Sequence, residues 1–189
     1  MTRITFRQAV KRGLEEALDN DPNVLLLGED VGRYGGAYAI TSGFLERYGP
    51  ERILDTPISE ASFVGCGIGA AVGGLRPIVE LMSINFALVA FDQIVNMAAK
   101  IRYMSGGQVN VPLLIRAPTG GGMQLGATHS QSLESLFATV PGLKVVIPAT
   151  PSDALGLFRS ALADLNPIIF AEPARLYGQD GDVPDDYYT

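Results

Sequence analysis

At 189 residues, 47% of them apolar, the chain is long enough for one domain that buries about 70% of its unfolded surface without a disulfide or structural metal. Its one cysteine, Cys66, cannot form an internal bridge and reads as a reduced interior thiol in a cytoplasm-like compartment. A net charge of −6 without any Lys/Arg cluster argues against a nucleic-acid or anionic-membrane surface; no targeting segment is visible, and the apolar uncharged stretch 61–75 is too short for a bilayer span.

The spacing of Phe6, Ala9, Val10, Gly13, Leu14, Ala17 and Leu18 predicts a first helix with Thr5 as its N-cap. Val24–Leu27 is a continuous apolar run ending in Gly28, as a strand buried on both faces would be. A Gly/Tyr-rich loop (32–38) leads to a short helix over 43–48, capped by Ser42 or Thr41. Then come a minimal strand at 52–54, a glycine-rich helix over 61–75 and a strand at 77–82.

Residues 86–104 read as one long helix, apolar on more than one face, which implies burial by the parent domain on one side and a second subunit on the other. A strand (112–117), a helix (133–139), a strand (143–148), a helix (152–164) and a last strand (167–172) follow, and residues 178–189 form an acidic, loop-like tail. Six short strands alternating with helices, with little period-two patterning, predict an α/β fold: a doubly wound, mostly parallel sheet with helices on both faces. The expected domain is 1–177. In such a sheet, ligands bind outside the carboxyl ends of the strands, which directs attention to residues 28–30, 55–60, 83–86 and 118–129.

Glu60 closes Asp55-Thr56-Pro57-Ile58-Ser59-Glu60 and heads the apolar glycine-rich segment. A carboxyl placed there meets little water and few cations. It is expected to hold or share a proton near neutral pH and to hydrogen-bond a cofactor's ring nitrogen. An acid in a first helical turn also suits a capping role, and the two readings are compatible. His129, the only histidine, ends the glycine-rich loop 119–130, a placement suited to acid/base or orienting work. Of the neighbours Glu29 and Asp30, one at most should enter a cleft. The pattern Gly65-Cys66-Gly67-Ile68-Gly69-Ala70 satisfies a dinucleotide fingerprint formally, but it lies inside a helix rather than in a strand-to-helix turn, which argues against a nicotinamide oxidoreductase. No zinc spacing or P-loop is present.

Taken in order, Gly28-Glu29-Asp30-Val31, Tyr34-Gly35-Gly36-Ala37-Tyr38, the Asp55–Glu60 segment, Gly73-Gly74-Leu75-Arg76-Pro77-Ile78, Asn85-Phe86, Met104-Ser105-Gly106-Gly107, Thr128-His129-Ser130-Gln131 and Pro141-Gly142-Leu143-Lys144-Val145-Val146 closely resemble the β subunit of the E1 component of 2-oxoacid dehydrogenase complexes. The matches run over nearly the whole chain but cover only that subunit's N-terminal, transketolase-like pyrimidine-binding domain. Residues 178–189 would lead to a C-terminal domain that is absent here.

The resemblance implies thiamine diphosphate chemistry: decarboxylation of a 2-oxoacid and acyl transfer to the lipoyl arm of the E2 acyltransferase. It makes Glu60 the partner of a pyrimidine nitrogen, Phe86 the aromatic packed on that ring, Ile58 part of the same wall and His129 the residue positioning substrate. Glu29 becomes a second acid in a channel between paired active sites. Leu113, Ala161, Leu162, Asp164 and Asn166 match potassium-binding positions, largely through backbone oxygens.

The family's diphosphate–Mg²⁺ motif is missing, so that half is expected from a partner α subunit in an α2β2 heterotetramer with β–β self-association, and the isolated chain is expected to be inactive. The segment 124–129 favours the pyruvate type; Phe170-Ala171-Glu172-Pro173 leaves the branched-chain type open. A non-catalytic subunit-pairing module is the alternative of another class. A cytoplasmic, bacterial-type location is the expected setting.

Overall fold

The computed structural model describes residues 1–184 and 186. Six strands form one parallel sheet in the order β3-β2-β4-β5-β7-β6, where β2 is Val24–Gly28, β3 Ile53–Asp55, β4 Arg76–Glu80, β5 Leu114–Thr119, β6 Lys144–Val146 and β7 Ile168–Pro173. The expected α/β class, doubly wound with helices on both faces, is therefore observed. Adjacent residues of the central strands feed opposite cores. Leu26, Ile78, Leu114 and Ile168 meet α1 (Phe6–Asn20) and α6 (Pro151–Ala163), while Leu27, Val79, Ile115 and Ile169 meet α3 (Glu60–Val72) and the helical segment that follows β4. Burial on both faces explains why these strands show no polar alternation. The chain leaves β2 for β3 on one side and returns to β4 on the other, so the carboxyl ends of β2 and β4 flank the point where strand order reverses.

The local signals at α1 act as expected. The Thr5 hydroxyl accepts from Gln8 N, and the Gln8 side chain accepts from Thr5 N, a complete capping box. At the far end of α3, Leu75 N donates to Ala70 O and Gly74 takes φ +96, a Schellman-type stop that ends the helix at Val72 rather than Leu75.

Several expectations need correction. Neither Ser42 nor Thr41 caps α2 (Phe44–Tyr48) through its side chain: the cap is Gly43 in the left-handed region, and the buried Thr41 hydroxyl instead donates to Val31 O at 2.7 Å. The single helix expected over 86–104 is a 3₁₀ turn (Ile84–Leu88), a turn, and a helix whose middle, Gln93–Ala98, is π-wound before α4 (Ala99–Met104). Apolar spacing alone does not separate i+4 from i+5 winding over so short a span.

Cys66 is exposed, because the buried stripe of α3 is Phe63, Val64, Gly67, Ile68 and Ala71, and position 66 falls off it. The tail is not all loop: β8 (Asp180–Val183) pairs antiparallel with β1 (Thr2–Thr5), aligning Thr2 with Val183. Residues 185 and 187–189 of the expected tail lie outside the described residues. Among the described residues no helix is long and apolar enough to cross a membrane. The apolar breadth of 86–104 is visible as exposure of Val89, Phe91, Met97, Tyr103 and Met104.

Candidate active site

The carboxyl edge of the sheet gathers most of the expected residues into two groups. In the first, Glu29 follows β2 and Glu60 opens α3; each is only 5% exposed, while Asp30 points to solvent. Of the two neighbouring acids, one is buried and the other exposed. The two carboxyls lie within hydrogen-bonding reach of each other, and burial, then the charge of Glu60, pushes the Glu29 carboxyl up to about 7. Glu29 Oε1 and Thr56 Oγ1 are buried without a hydrogen-bond partner, at the ends of the paired strands β2 and β3. Unpaired buried polar atoms are expensive, so this corner calls for a hydrogen-bonding partner from outside the chain.

In the second group, Phe86 meets the His129 ring edge-on, with centroids 5.2 Å apart at 84°. The Thr128 hydroxyl lies 3.0 Å from His129 Nδ1. Both rings line a cavity of about 350 Å³ whose other walls include Tyr38, Met82, Met123 and Leu125. His129 is exposed at its rim, on a 3₁₀ turn (Ala127–His129) of the glycine-rich loop. Gln131 N donates to the side chain of buried Asn85, tying this loop to the turn that carries Phe86.

Ile58 joins neither group, being 83% exposed. The potassium positions lie elsewhere, near the amino ends of β5 and β7. There Leu113 O already accepts from Ile168 N, Leu162 O accepts from Arg76 at 2.6 Å, and the Asp164 carboxylate pairs with Lys144 and accepts from Asn166. Another cavity, about 400 Å³ and lined by Ala98, Arg102, Tyr103 and Gly142, also sits at that opposite edge of the sheet.

Beneath the second group lies a cluster that inspection of motifs missed. Arg116, wholly buried in β5, donates through Nε and Nη2 to the two oxygens of Glu172 at 2.7 Å each, and through Nη1 to Glu80. The Tyr177 hydroxyl donates to Glu172 Oε2 at 2.7 Å. Burial pushes Glu80 up, against the pull of Arg116; burial also opposes the Arg116 charge, but the two carboxylates outweigh it and raise its affinity for the proton. The available signal was a charge inside an otherwise apolar strand, at Leu114-Ile115-Arg116-Ala117 and Ile169-Phe170-Ala171-Glu172, since such charges must pair.

Residues 2–179 match the family described as transketolase, pyrimidine binding domain. The chain belongs to that family. Among curated relatives, this pyrimidine-binding domain is 50% identical over 188 residues to the pyruvate dehydrogenase E1 component subunit beta of Staurastrum punctulatum, and 50% identical over 176 residues to the mitochondrial subunit beta-1 of Arabidopsis thaliana. These alignments cover 100% and 93% of the chain but 57% and 48% of the relatives, so the chain spans about half the length of the curated relatives it matches. A solved structure titled split gene transketolase, inactive beta4 tetramer, shares the fold at TM-score 0.77 and 21% identity, covering 98% of this chain and 56% of that one.

Proposed function

We propose that this chain is the pyrimidine-binding part of a pyruvate dehydrogenase E1 β subunit, one half of a thiamine diphosphate site whose other half lies on an α subunit. The observation that carries the reading is the Glu29–Glu60 pair, buried at the switch point with Glu29 Oε1 unsatisfied. An aminopyrimidine offers the ring nitrogen and amino donor that such a pair lacks, so the residues fit the cofactor. Half-buried Phe86 fits an aromatic ring above it. The 50% identity to E1 β subunits supports this over the branched-chain or non-catalytic alternatives.

Thiamine diphosphate, when bound, supplies a carbon acid whose conjugate base adds to a 2-oxo carbonyl and an electron sink for loss of CO2. The chain's own part is to hold and aim. Glu60 would hold a ring nitrogen of the pyrimidine, and its burial would keep out the water that competes for that bond. Glu29 keeps a proton beside it near pH 7, so two carboxyls face each other without two full charges. His129, exposed at the rim, is placed to orient the substrate carboxylate or carbonyl.

The remaining expectations form part of the same proposal. The α subunit holds Mg²⁺ and the diphosphate, an α2β2 assembly with β–β contact covers the apolar segment around Val89–Met104, and E2 takes the acyl group in a cytoplasm-like compartment. Potassium at 113, 161, 162, 164 and 166 would have to use the second lone pairs of Leu113 O and Leu162 O beside the Arg76 guanidinium. Stabilisation by K⁺ over Na⁺ in thermal melts tests it.

The deciding experiment assembles the β subunit bearing these residues with an α subunit and follows cofactor-dependent decarboxylation of pyruvate and branched 2-oxoacids. Glu60→Gln should lower turnover about a hundred-fold or more. Near-normal turnover in that variant would favour the pairing module, and the chain without α should turn over nothing.

A further inference from the structure

We propose that Arg116, Glu172 and Tyr177 are positioning residues for the cavity beside Phe86 and His129, fixing the wall that faces the substrate; this rests on the function proposed above. The cluster and the cavity are successive layers of one sheet face. Glu80 and Arg116 lie two residues past Ile78 and Leu114, and Glu172 four past Ile168 beyond Phe170, all on the same sheet face; two residues further on come Met82, Pro118 and Ala174, all lining the cavity.

Three contacts tie the layers together. The Glu80 carboxyl lies where a side chain on Gly36 would be, 3.1 Å from that position, and Gly36 has φ +80, so the loop backbone rests directly on the cluster. Ala37 and Tyr38, next along that loop, line the cavity. The Tyr38 ring packs on Tyr177 with centroids 5.0 Å apart, and the Tyr177 hydroxyl is held by Glu172. Glu172 therefore governs the cavity wall from two directions, through Tyr177 to Tyr38 and along β7 to Ala174.

A fork of one guanidinium on one carboxylate admits a single geometry, unlike an apolar contact that tolerates sliding. Loss of the Tyr177 hydroxyl or the Glu172 charge should loosen Tyr38 without touching Glu60, Glu29 or His129. The proposal predicts a change in how substrate fits rather than in the chemical step.

The test uses the assembled α–β enzyme carrying Tyr177→Phe or Glu172→Gln in β, with Leu14→Ala, a core change on the buried face of α1, as a control for lost stability. Expected is a rise of about three- to ten-fold in KM for pyruvate with kcat within about two-fold, and a changed preference between pyruvate and a branched 2-oxoacid. Unchanged KM and preference in both variants, or an equal KM change in Leu14→Ala, overturns the proposal. A second readout needs no turnover: with fluorotyrosine in β alone, the Tyr38 resonance, assigned by Tyr38→Phe, should shift in Glu172→Gln. If the wild-type enzyme shows no thiamine-dependent decarboxylation, the functional reading fails. The positioning claim then stands or falls on that resonance, a shift supporting it and an unmoved line refuting it.

Discussion

Glu29 and Glu60 face each other at the ends of two different elements, and only one of them can be charged cheaply. With the Glu29 carboxyl raised from 4.5 to about 7, the folded chain keeps a proton that the unfolded chain has already lost. Such a group stabilises fully below its unfolded value, and its contribution disappears as pH climbs through the folded value. Stability attributable to this acid should fall between about pH 4.5 and 7. Glu29→Gln should flatten that slope and stabilise the chain at pH 8 by ~1–3 kcal/mol, read from denaturant melts across the pH range. An unchanged pH profile in the variant would mean that the pair does not share a proton.

Arg116→Met should be costly in a different way. It leaves Glu80 and Glu172 buried with no cation, and removing one partner of a buried charge cluster typically costs about 3–5 kcal/mol. Adding Glu172→Leu to Arg116→Met should recover part of the loss, because it removes a stranded carboxylate as well. Urea midpoints of the single and double variants decide this.

Two glycines of α3 should respond with opposite signs. A Cβ on Gly67 would sit 2.7 Å from Val79 Cγ2 and 3.3 Å from Leu113 Cδ1, whereas one on Gly69 meets nothing within 4 Å. Gly67→Ala gains helix propensity but overpacks the junction with β4, a net loss of about 1–2 kcal/mol. Gly69→Ala has only the gain, about 0.5–1 kcal/mol. Thermal melts of both variants suffice.

Thr5→Ala removes the hydroxyl that accepts from Gln8 N and should cost about 1 kcal/mol. Thr5→Ser should keep most of it. Equal melts for Thr5→Ala and wild type would show the capping box to be ornamental.

The sheet was legible because its physics is local. Runs such as Val24–Gly28 and Ile168–Ala171 are apolar throughout because both faces are covered, and Thr5 with Gln8 announces the start of α1. Of the site, Glu29, Glu60, Phe86 and His129 were visible as polar or aromatic residues just past buried strands, and the fold pairs them two by two. Other features depend on contacts that no linear pattern carries. Thr41 gave up its capping role to serve Val31 O, Ile58 projects outward, and the partners of Arg116 come from strands 36 and 56 residues away. β1 and β8 were missed because Thr2–Thr5 and Asp180–Val183 pair through backbone groups, with side chains that follow no apolar rhythm.

That small ribbon joins Thr2–Thr5 to Asp180–Val183 across almost the full length of the sequence. Thr5 ends β1 and caps α1, and Gly181 sits against the Pro151 ring at the start of α6, so one clasp secures the first turns of both helices on that face. Trimming the first four residues should therefore release Asp180–Val183 from its strand partner and expose that segment, with the first turn of α6, to proteases.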